Sequence, residues 1–169
     1  MEGATPRTVS QEAFRKVLGL FATGVTVVTF RLASGRLWGF TVNAFTSVSL
    51  SPPMVLFCVD HAIGSFAIVQ ESEYFAVNLL SEDQDEISRR FAAKMKDRFE
   101  GIGYREGAHG LPLLEGCLGS LQCRQVGRHA YGDHSVVIGE VLQAEAKGGK
   151  PLLFYRSNYT RLGVPATTS

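Results

Sequence analysis

The sequence predicts a mainly β protein, an antiparallel barrel with helices at its rim. Predicted strands outnumber predicted helices by about two to one, and they follow one another as hairpins instead of alternating with helices. That order argues against a doubly wound parallel sheet. The 169 residues correspond to one domain at about 150 residues per domain. We therefore expect a single domain over residues 1–169 with its ordered core at about 12–162.

The amino-acid composition excludes some classes of function. The chain has 17 Lys+Arg against 16 Asp+Glu, a formal net charge of +1, so there is no basic field to attract nucleic acid or anionic lipid. Hydrophobic residues make up 45% and charged residues 20% of the chain, the balance of an ordinary globular domain. We expect no nucleic-acid partner and no membrane partner.

The cysteines and the N-terminus indicate a cytoplasmic protein. Cys58, Cys117 and Cys123 form no C-x-x-C pair, which argues against a zinc site or a redox dithiol. The first residues contain no apolar segment of a signal peptide, and the longest apolar run, Met54–Val59, is far shorter than the ~20 residues of a membrane span. The last residues, 164–169, are expected to fray.

The first elements are a helix and a hairpin. Apolar residues recur at helical spacing over 11–22, and Ser10 is placed to cap this helix. The segment 25–32 is rich in Val and Thr, a turn follows at Ser34-Gly35, and strand-like residues resume over 37–48.

The second strand of this hairpin has two different faces. Alternation along a strand places one set of side chains on an apolar face and the other on a largely hydroxyl and amide face. The first set is Trp38, Phe40, Val42 and Ala44, and the second is Thr41, Asn43, Phe45 and Ser47.

The continuous apolar run at 54–59 predicts a strand buried on both faces. A short helix at 64–72 and a strand at 74–80 follow. Ser81 then caps a helix whose first turn is acidic and whose later turns carry Arg89 and Arg90, the order that a helix dipole favours.

The second half of the chain is predicted to be mostly strand. The glycine-rich stretch 96–112 is expected to be irregular. Strands are predicted at 117–126, 135–145 and 152–156.

Several catalytic motifs do not occur in the sequence. There is no G-x-G-x-x-G, P-loop, G-x-S-x-G or H-E-x-x-H pattern, which excludes the corresponding nucleotide-binding, hydrolase and zincin classes. The carboxylates at 82–86 are interpreted as a solvated helix cap. His129, Asp133 and His134 have no further ligand nearby in the sequence, so no metal is assigned.

The polar segment from Thr41 to Pro53 is the remaining candidate for a site. One interpretation is a solvent-facing strand. The other is a strand edge along which a planar polar ligand lies, with backbone N–H groups donating to it and Phe45 covering a ring.

Five segments of the chain match, in the same order, segments of a known protein family. They are Phe21–Thr29, Thr41–Ser49 with Pro52-Pro53, Phe75–Leu80, Gly132-Asp133-His134 with Val136–Val141, and Pro151–Arg156. Together, in register over about 12–162, they resemble the short-chain flavin reductase family. Members of that family are the small reductase components of two-component flavin-dependent monooxygenases.

The resemblance implies a fold, a reaction and partners. The fold is an antiparallel Greek-key FMN-binding split β-barrel, assembled as a homodimer with flavin near the subunit interface. The reaction is hydride transfer from NADH or NADPH to FMN or FAD, which supplies reduced flavin to a separate monooxygenase. Hydride passes directly between the two cofactors, so the protein mainly has to position them.

The resemblance also implies which residues hold the flavin. The polar segment holds the flavin ring and the ribityl chain, and the end of the neighbouring strand lies beside the ring. The start of the short helix approaches the phosphate. Positions on the third helix and near the C-terminus complete the site. These residues are Thr41, Val42, Asn43, Ala44, Phe45, Thr46, Ser47, Val48, Cys58, Asp60, Ser65, Phe66, Arg90, Phe91, Ala92 and Tyr159. The Arg90 guanidinium is the expected partner of the phosphate. At position 63 this chain has Ile where the family commonly has a hydroxyl residue.

His134 is the candidate for the nicotinamide side, as a hydrogen-bond partner of the carboxamide, with Asp133 orienting its imidazole. The alternative is that this pair only builds a turn.

Two other functions of the protein stay open. One is a flavin carrier or sensor of the same barrel without nicotinamide turnover, and the other is an enzyme like pyridoxamine-phosphate oxidase, for which no basic phosphate cluster was identified.

Overall fold

A computed structural model describes residues 9–163 of the protein. The expectations for the first residues and for the tail at 164–169 lie outside this range. Within it there are three α-helices, which are α1 (Gln11–Leu18), α2 (Ser65–Glu71) and α3 (Asp85–Ala92). The same residues form twelve strands, which are β1 (Thr23–Gly24), β2 (Thr26–Arg31), β3 (Leu37–Val42), β4 (Phe45–Leu50), β5 (Pro53–Asp60), β6 (Tyr74–Leu79), β7 (Tyr104–Glu106), β8 (Pro112–Leu114), β9 (Gly119–Tyr131), β10 (His134–Ala146), β11 (Leu153–Tyr155) and β12 (Asn158–Thr160).

Seven strands form one antiparallel sheet in the order β3-β2-β6-β9-β10-β5-β4. The mainly β, antiparallel class predicted from the sequence is confirmed. β3 and β4 are the two edges of this ladder, although they are consecutive in the chain. Two smaller antiparallel sheets, β1-β11-β12 and β7-β8, lie beside it.

The large sheet curls around its own core. Phe40 on the β3 edge has its ring centroid 6.1 Å from that of Phe57 on β5, which is next to the opposite edge. Phe57 in turn lies 5.2 Å from Phe75 on β6, and Phe30 lies 6.1 Å from Phe40. Contacts of this kind between the two ends of the ladder require a strongly rolled sheet, because side chains reach only a few ångströms from the backbone.

A second core lies on the outer side of β2 and β3, under α3. The Phe91 ring of α3 is fully buried there and packs edge-on against Phe99 at a centroid distance of 5.1 Å. Gly39 in β3 makes this packing possible, since a Cβ at that position would lie 2.8 Å from a ring carbon of Phe91. α3 is therefore held directly against the β3 edge.

The predicted strand 37–48 is in fact two strands separated by a corner at Asn43-Ala44. β3 pairs with β2, and β4 pairs with β5 on the other end of the ladder. The alternation of the sequence is correct up to Val42 and changes at the corner, so Ala44 is exposed and Phe45 packs partly against the core. At the corner the side chains change the face of the sheet toward which they point, and a strict alternation pattern does not predict this change.

α1 is shorter than predicted and buries none of its residues. Ser10 caps it as expected, accepting a hydrogen bond from the Ala13 amide at 3.2 Å, but the helix ends at Leu18 instead of residue 22. Its apolar stripe stays in solvent, with Phe14 58% and Val17 65% exposed. An amphipathic helix of this kind has an apolar face that the described residues do not cover.

Two further sequence predictions are wrong. β5 alternates between buried and half-buried residues instead of being buried on both faces, because it lies next to the β4 edge. Ser81 does not cap α3: the helix begins at Asp85 after Gln84, and Ser81 pairs with Pro151 in an isolated bridge. The Gln84 side chain instead accepts from the Ser81 amide at 3.0 Å.

The second half of the chain is built on the long hairpin β9–β10. β9 contributes Cys123 and β10 contributes Val137 to the core, and the tip of the hairpin carries the turn at Gly132-Asp133. The stretch predicted as irregular contains the short strand β7. No helix among residues 9–163 is both long and apolar enough to cross a membrane.

Candidate functional site

Three adjoining cavities follow the β3 edge and the corner at Asn43-Ala44. The basic cavity, about 690 Å³, shares Thr41 and Ala92 with the tyrosine cavity, about 170 Å³. The tyrosine cavity shares Val25 and Asn43 with the apolar cavity, about 300 Å³. The three cavities therefore adjoin one another along this edge of the sheet, and together they are called the groove.

The basic cavity lies between β3, the loop before α2 and the end of α3. Its lining is Trp38, Phe40, Thr41, Ala62, Ile63, Gly64, Ser65, Phe91, Ala92, Lys94, Met95, Lys96 and Arg98. Three of these side chains are cations, and Lys94 and Lys96 are both exposed. Among the described residues, no carboxylate pairs with either lysine. The cavity therefore presents unneutralised positive charge to a ligand.

Arg98 holds the wall of the basic cavity in place. Its guanidinium donates to the carbonyl of Gly39 at 2.7 Å, on the free edge of β3, and to the carbonyl of Ala93 at 2.8 and 3.1 Å. It also stacks over the Trp38 ring, 4.7 Å from its centroid. Partial burial lowers the pKa of Arg98 from its usual value. These contacts fix the loop that carries Lys94 and Lys96 against the sheet.

Ser65 and Phe66 begin α2 at the opposite wall of the same cavity. The Ser65 side chain is 2% exposed, and its hydroxyl accepts from the Trp38 indole N–H at 3.0 Å. Phe66 packs partly against the core, with its ring 4.5 Å from that of His61. The Ser65 hydroxyl is thus already engaged by the protein, and it sets the position of Trp38.

The three predicted residues of α3 have different environments. Ala92 is exposed and lines both the basic and the tyrosine cavity. Phe91 is buried behind the basic cavity. The Arg90 guanidinium lies outside the lining of the three cavities and donates to the carbonyls of Arg98 at 2.9 Å and Glu100 at 2.6 Å. Arg90 therefore supports the loop that ends the cavity wall.

The tyrosine cavity is framed by a chain of hydrogen bonds. Thr41 donates to the Ser88 carbonyl at 2.6 Å, and the Ser88 hydroxyl lies 2.7 Å from the Tyr159 hydroxyl. The Arg89 guanidinium stacks over the Tyr159 ring at 4.7 Å. Tyr159 reaches this place from β12, so residues far apart in sequence converge on the middle of the groove.

The corner and β4 form the open side of the groove. Asn43 and Ala44 are exposed, and the Ala44 carbonyl accepts from the Cys58 amide at 3.0 Å, which ties the corner to β5. Beyond it, Thr46, Ser47 and Val48 are exposed on an edge strand, where backbone groups on one side lack a neighbouring strand. Val42, in contrast, has its side chain in the core and offers only backbone to a ligand.

Asp133 and His134 form a hydrogen-bonded pair at the tip of the β9–β10 hairpin. His134 Nδ1 lies 2.7 Å from Asp133 Oδ1, and this hydrogen bond with the charge of the imidazole lowers the pKa of the Asp133 carboxyl. Both side chains are exposed. They line none of the three cavities, but His134 is the cross-strand partner of Asp60 at the end of β5.

The end of β5 links this tip to the basic cavity. Asp60 accepts from the Ala62 amide at 2.8 Å, and the His61 amide donates to the Asp133 carbonyl at 3.0 Å. Residues 62–65 then form a wall of the basic cavity. Cys58, two residues before Asp60, is half-buried, and burial raises the pKa of its thiol.

The other two cysteines belong to the packing. Burial raises the pKa of Cys117 to about 11 and that of Cys123 to about 12. Among the described residues all three thiols are free. Cys117 and Cys123 are therefore packing residues of the two cores.

The sequence interpretation missed the cations of the basic cavity and Trp38. Lys94, Lys96 and Arg98 alternate in the sequence directly after α3. Lys96 and Arg98 fall in the stretch 96–112 that is predicted as irregular, and Lys94 lies just before it. Trp38 was assigned only to an apolar face. Their function depends on α3 packing against β3, which is a tertiary contact that periodicity does not reveal.

Comparisons with known proteins match the chain to one family. Residues 18–163 match the family described as flavin reductase like domain. The reductase subunit of a flavin-dependent monooxygenase from Mycobacterium tuberculosis is 39% identical over 163 residues, which are 95% of this chain and 87% of that relative. An FMN reductase (NADH) from Agrobacterium fabrum is 39% identical over 149 residues, covering 88% of this chain and 84% of the relative.

A solved structure has the same fold over nearly the whole chain. It is an NADH:FAD oxidoreductase from Streptomyces globisporus in complex with NAD and FAD fragments, with a TM-score of 0.88 and 34% identity over 98% of this chain and 99% of that one. The protein therefore belongs to the flavin reductase like family.

Proposed function

We propose that the protein is an NAD(P)H-dependent flavin reductase, which transfers hydride from NADH or NADPH to FMN or FAD and supplies reduced flavin to a separate monooxygenase. The observation that carries this proposal is the groove: a cationic cavity at one end and an open strand edge in its middle. Its relatives include the reductase subunit of a monooxygenase and an FMN reductase (NADH).

The residues of the groove fit a flavin. Lys94 and Lys96 suit a phosphate, because charge-assisted hydrogen bonds from ammonium groups are strong. The exposed corner at Asn43-Ala44 suits a planar ring with hydrogen-bonding edges, since an edge strand has unpaired backbone groups. When bound there, the flavin would supply the hydride-accepting chemistry that no side chain offers.

We assign the binding roles by position in the groove. The backbone from Thr41 to Val48 holds the ring and ribityl chain, with Cys58 and Asp60 beside it. Ser65, Phe66, Phe91 and Ala92 shape the phosphate end, and Tyr159 closes the middle. Arg90 acts by supporting the loop at 98–100, because its guanidinium is engaged there.

His134 is the candidate for the nicotinamide. Its imidazole is exposed, and its Nδ1 is engaged with Asp133, so that Nε2 points away from that hydrogen bond and can meet a carboxamide. Asp133 orients the ring by holding one nitrogen. Neither residue needs to move a proton during hydride transfer, so their contribution is to position the nicotinamide.

The assembly is also part of the proposal. The rolled sheet is assigned to a Greek-key split β-barrel, and the chain to one domain that forms a homodimer. The uncovered apolar stripe of α1 and the open β4 edge support a second copy as the covering partner. We place the protein in the cytoplasm, where nicotinamide cofactors and a partner oxygenase are present.

Steady-state kinetics tests the proposal. The purified protein is mixed with each pairing of FMN or FAD with NADH or NADPH, and oxidation of the nicotinamide is followed by absorbance. We expect flavin-dependent turnover with at least one pairing. Absence of turnover with every pairing contradicts a reductase, and flavin binding without turnover identifies a carrier or sensor instead.

A further inference from the structure

The basic cavity is larger and more apolar than a terminal phosphate requires. Its volume is about 690 Å³, against about 170 Å³ for the tyrosine cavity next to it. A single phosphate group fills little of a space that belongs to the size range of whole ligand pockets, about 300–1,000 Å³. The lining therefore indicates which larger group the cavity takes.

Two large apolar side chains stand exposed in the lining. Ile63 precedes α2 and is 38% exposed, and Met95 lies between the two lysines and is 41% exposed. Neither can hydrogen-bond to a phosphate. Both suit the faces of a purine ring, and a methionine sulfur makes favourable contacts with aromatic rings.

The lysines on either side of Met95 supply two separate charges. Lys94 and Lys96 are exposed, line the cavity and have no carboxylate partner among the described residues. The guanidinium of Arg98, by contrast, is largely engaged with backbone carbonyls. Two cations two residues apart match a pyrophosphate, whose charge is divided between two phosphorus centres.

We propose that the basic cavity binds the adenylyl half of FAD, with Ile63 and Met95 contacting the adenine and Lys94 and Lys96 the pyrophosphate. This inference rests on the proposed function and makes FAD the preferred flavin of this chain. The cavity shares Thr41 with the next part of the groove, so a flavin lying along the corner directs its phosphate end into it.

Equilibrium binding of oxidised flavins, measured by fluorescence without any nicotinamide, tests this inference separately from turnover. We expect FAD to bind at least tenfold more tightly than FMN, and riboflavin to bind more weakly than either. The double variant Ile63→Ser/Met95→Ser should weaken FAD binding at least fivefold and leave FMN binding within twofold. Leu142→Ser, at a leucine of β10 that is 46% exposed, is the matched control and should change neither affinity.

Other outcomes overturn the inference. Equal affinity for FMN and FAD in the unmodified protein contradicts a specific adenylyl site. An equal loss for both flavins in the double variant means that the cavity holds only the phosphate that they share. Either result is compatible with reductase activity, whereas failure to bind any flavin overturns the proposed function as well. A further variant, Lys94→Ala/Lys96→Ala, should weaken FAD binding more than FMN binding.

Discussion

The imidazole of His134 lies at the tip of a hairpin, apart from the cavities that are assigned to the flavin. Its position follows from the short turn at Gly132-Asp133 and from its pairing opposite Asp60. The sequence could indicate the pair Asp133-His134, because adjacent residues in a turn stay adjacent in the fold. It could not indicate that Asp60 and His61 would meet them there, since that depends on which strands pair.

Replacing His134 by Ala should separate nicotinamide binding from flavin binding. We expect the KM for NADH to rise about tenfold or the rate of reduction to fall by that factor, because one positioning hydrogen bond is worth about 1–1.5 kcal/mol. Flavin affinity should stay within twofold, as His134 lines none of the flavin cavities. Steady-state kinetics and fluorescence titration measure the two quantities.

Asp133→Asn is the companion variant, because it keeps the turn and removes the charge. A smaller change in the same direction is expected. A large loss of flavin affinity in His134→Ala would place the histidine on the flavin side and contradict the assignment.

The buried thiols make the folded state sensitive to alkaline pH. Unfolded thiols ionise near their usual pKa of 9, whereas Cys123 in the folded protein does so only at about 12. Between these values the unfolded state binds fewer protons than the folded state, so the free energy of unfolding falls as pH rises. The loss is about 1.4 kcal/mol per pH unit for one such thiol.

Denaturant unfolding of the unmodified protein and of Cys123→Ala at pH 8 and pH 10 measures this effect. The variant should lose less stability between the two pH values. As a control, Cys58→Ala should resemble the unmodified protein more closely, since the Cys58 thiol is only half-buried. Identical slopes for all three proteins would contradict the burial argument.

At the level of the elements, the packing of α3 on β3 creates the basic cavity. The sequence predicted that both elements exist, because a charge order that suits the helix dipole and a run of strand-like residues are local signals. It placed the start of α3 three residues early, since Ser81 has the properties of a cap but pairs with Pro151 in an isolated bridge. The break of the strand at Asn43-Ala44 was missed for the same reason, because only the pairing of β4 with β5 requires it.

Gly39→Ala should disturb this packing. The new Cβ would lie 2.8 Å from a ring carbon of Phe91 and 3.2 Å from the Thr29 methyl group, and both neighbours are fully buried. Overpacking of a core commonly costs about 1–3 kcal/mol. We expect a lower free energy of unfolding by that amount, together with weaker flavin binding, because Phe91 backs the basic cavity.

Gly24→Ala is the matched control for this prediction. A Cβ at Gly24 meets nothing within 4 Å, and the residue also lies in a strand. Thermal or denaturant unfolding should place this variant close to the unmodified protein. Equal destabilisation by the two substitutions would show that the loss of stability in Gly39→Ala does not come from the contact with Phe91.

For the whole molecule, the chain leaves several apolar side chains in solvent. Phe14, Val17 and Phe21 are between 58% and 70% exposed, and Leu50 at the end of β4 is 93% exposed. Soluble monomers rarely expose apolar residues in such groups. The sequence predicted the periodic apolar stripe of α1 but not what covers it, because periodicity does not reveal which chain an apolar face packs against.

The proposed homodimer predicts twice the chain mass of 18.4 kDa in solution. Sedimentation equilibrium measures this mass, and Phe21→Asp should shift the equilibrium toward the monomer by placing a charge in the apolar patch. Flavin affinity should fall together with dimer content, because Phe21 lines the apolar cavity of the groove. A monomeric protein that still binds flavin tightly would contradict a site at the subunit interface.

The two edges of the large sheet also have a practical consequence for the purified protein. α3 and Arg98 partly cover β3, so β4 is the edge where a foreign strand could add most easily to the ladder, and both edges adjoin the groove assigned to the flavin. A ligand bound along these edges covers them. Because the ligand binds only the folded protein, it also shifts the folding equilibrium toward the folded state. Long storage and crystallisation are therefore best attempted with flavin in excess, since the bare protein is the form most exposed to aggregation.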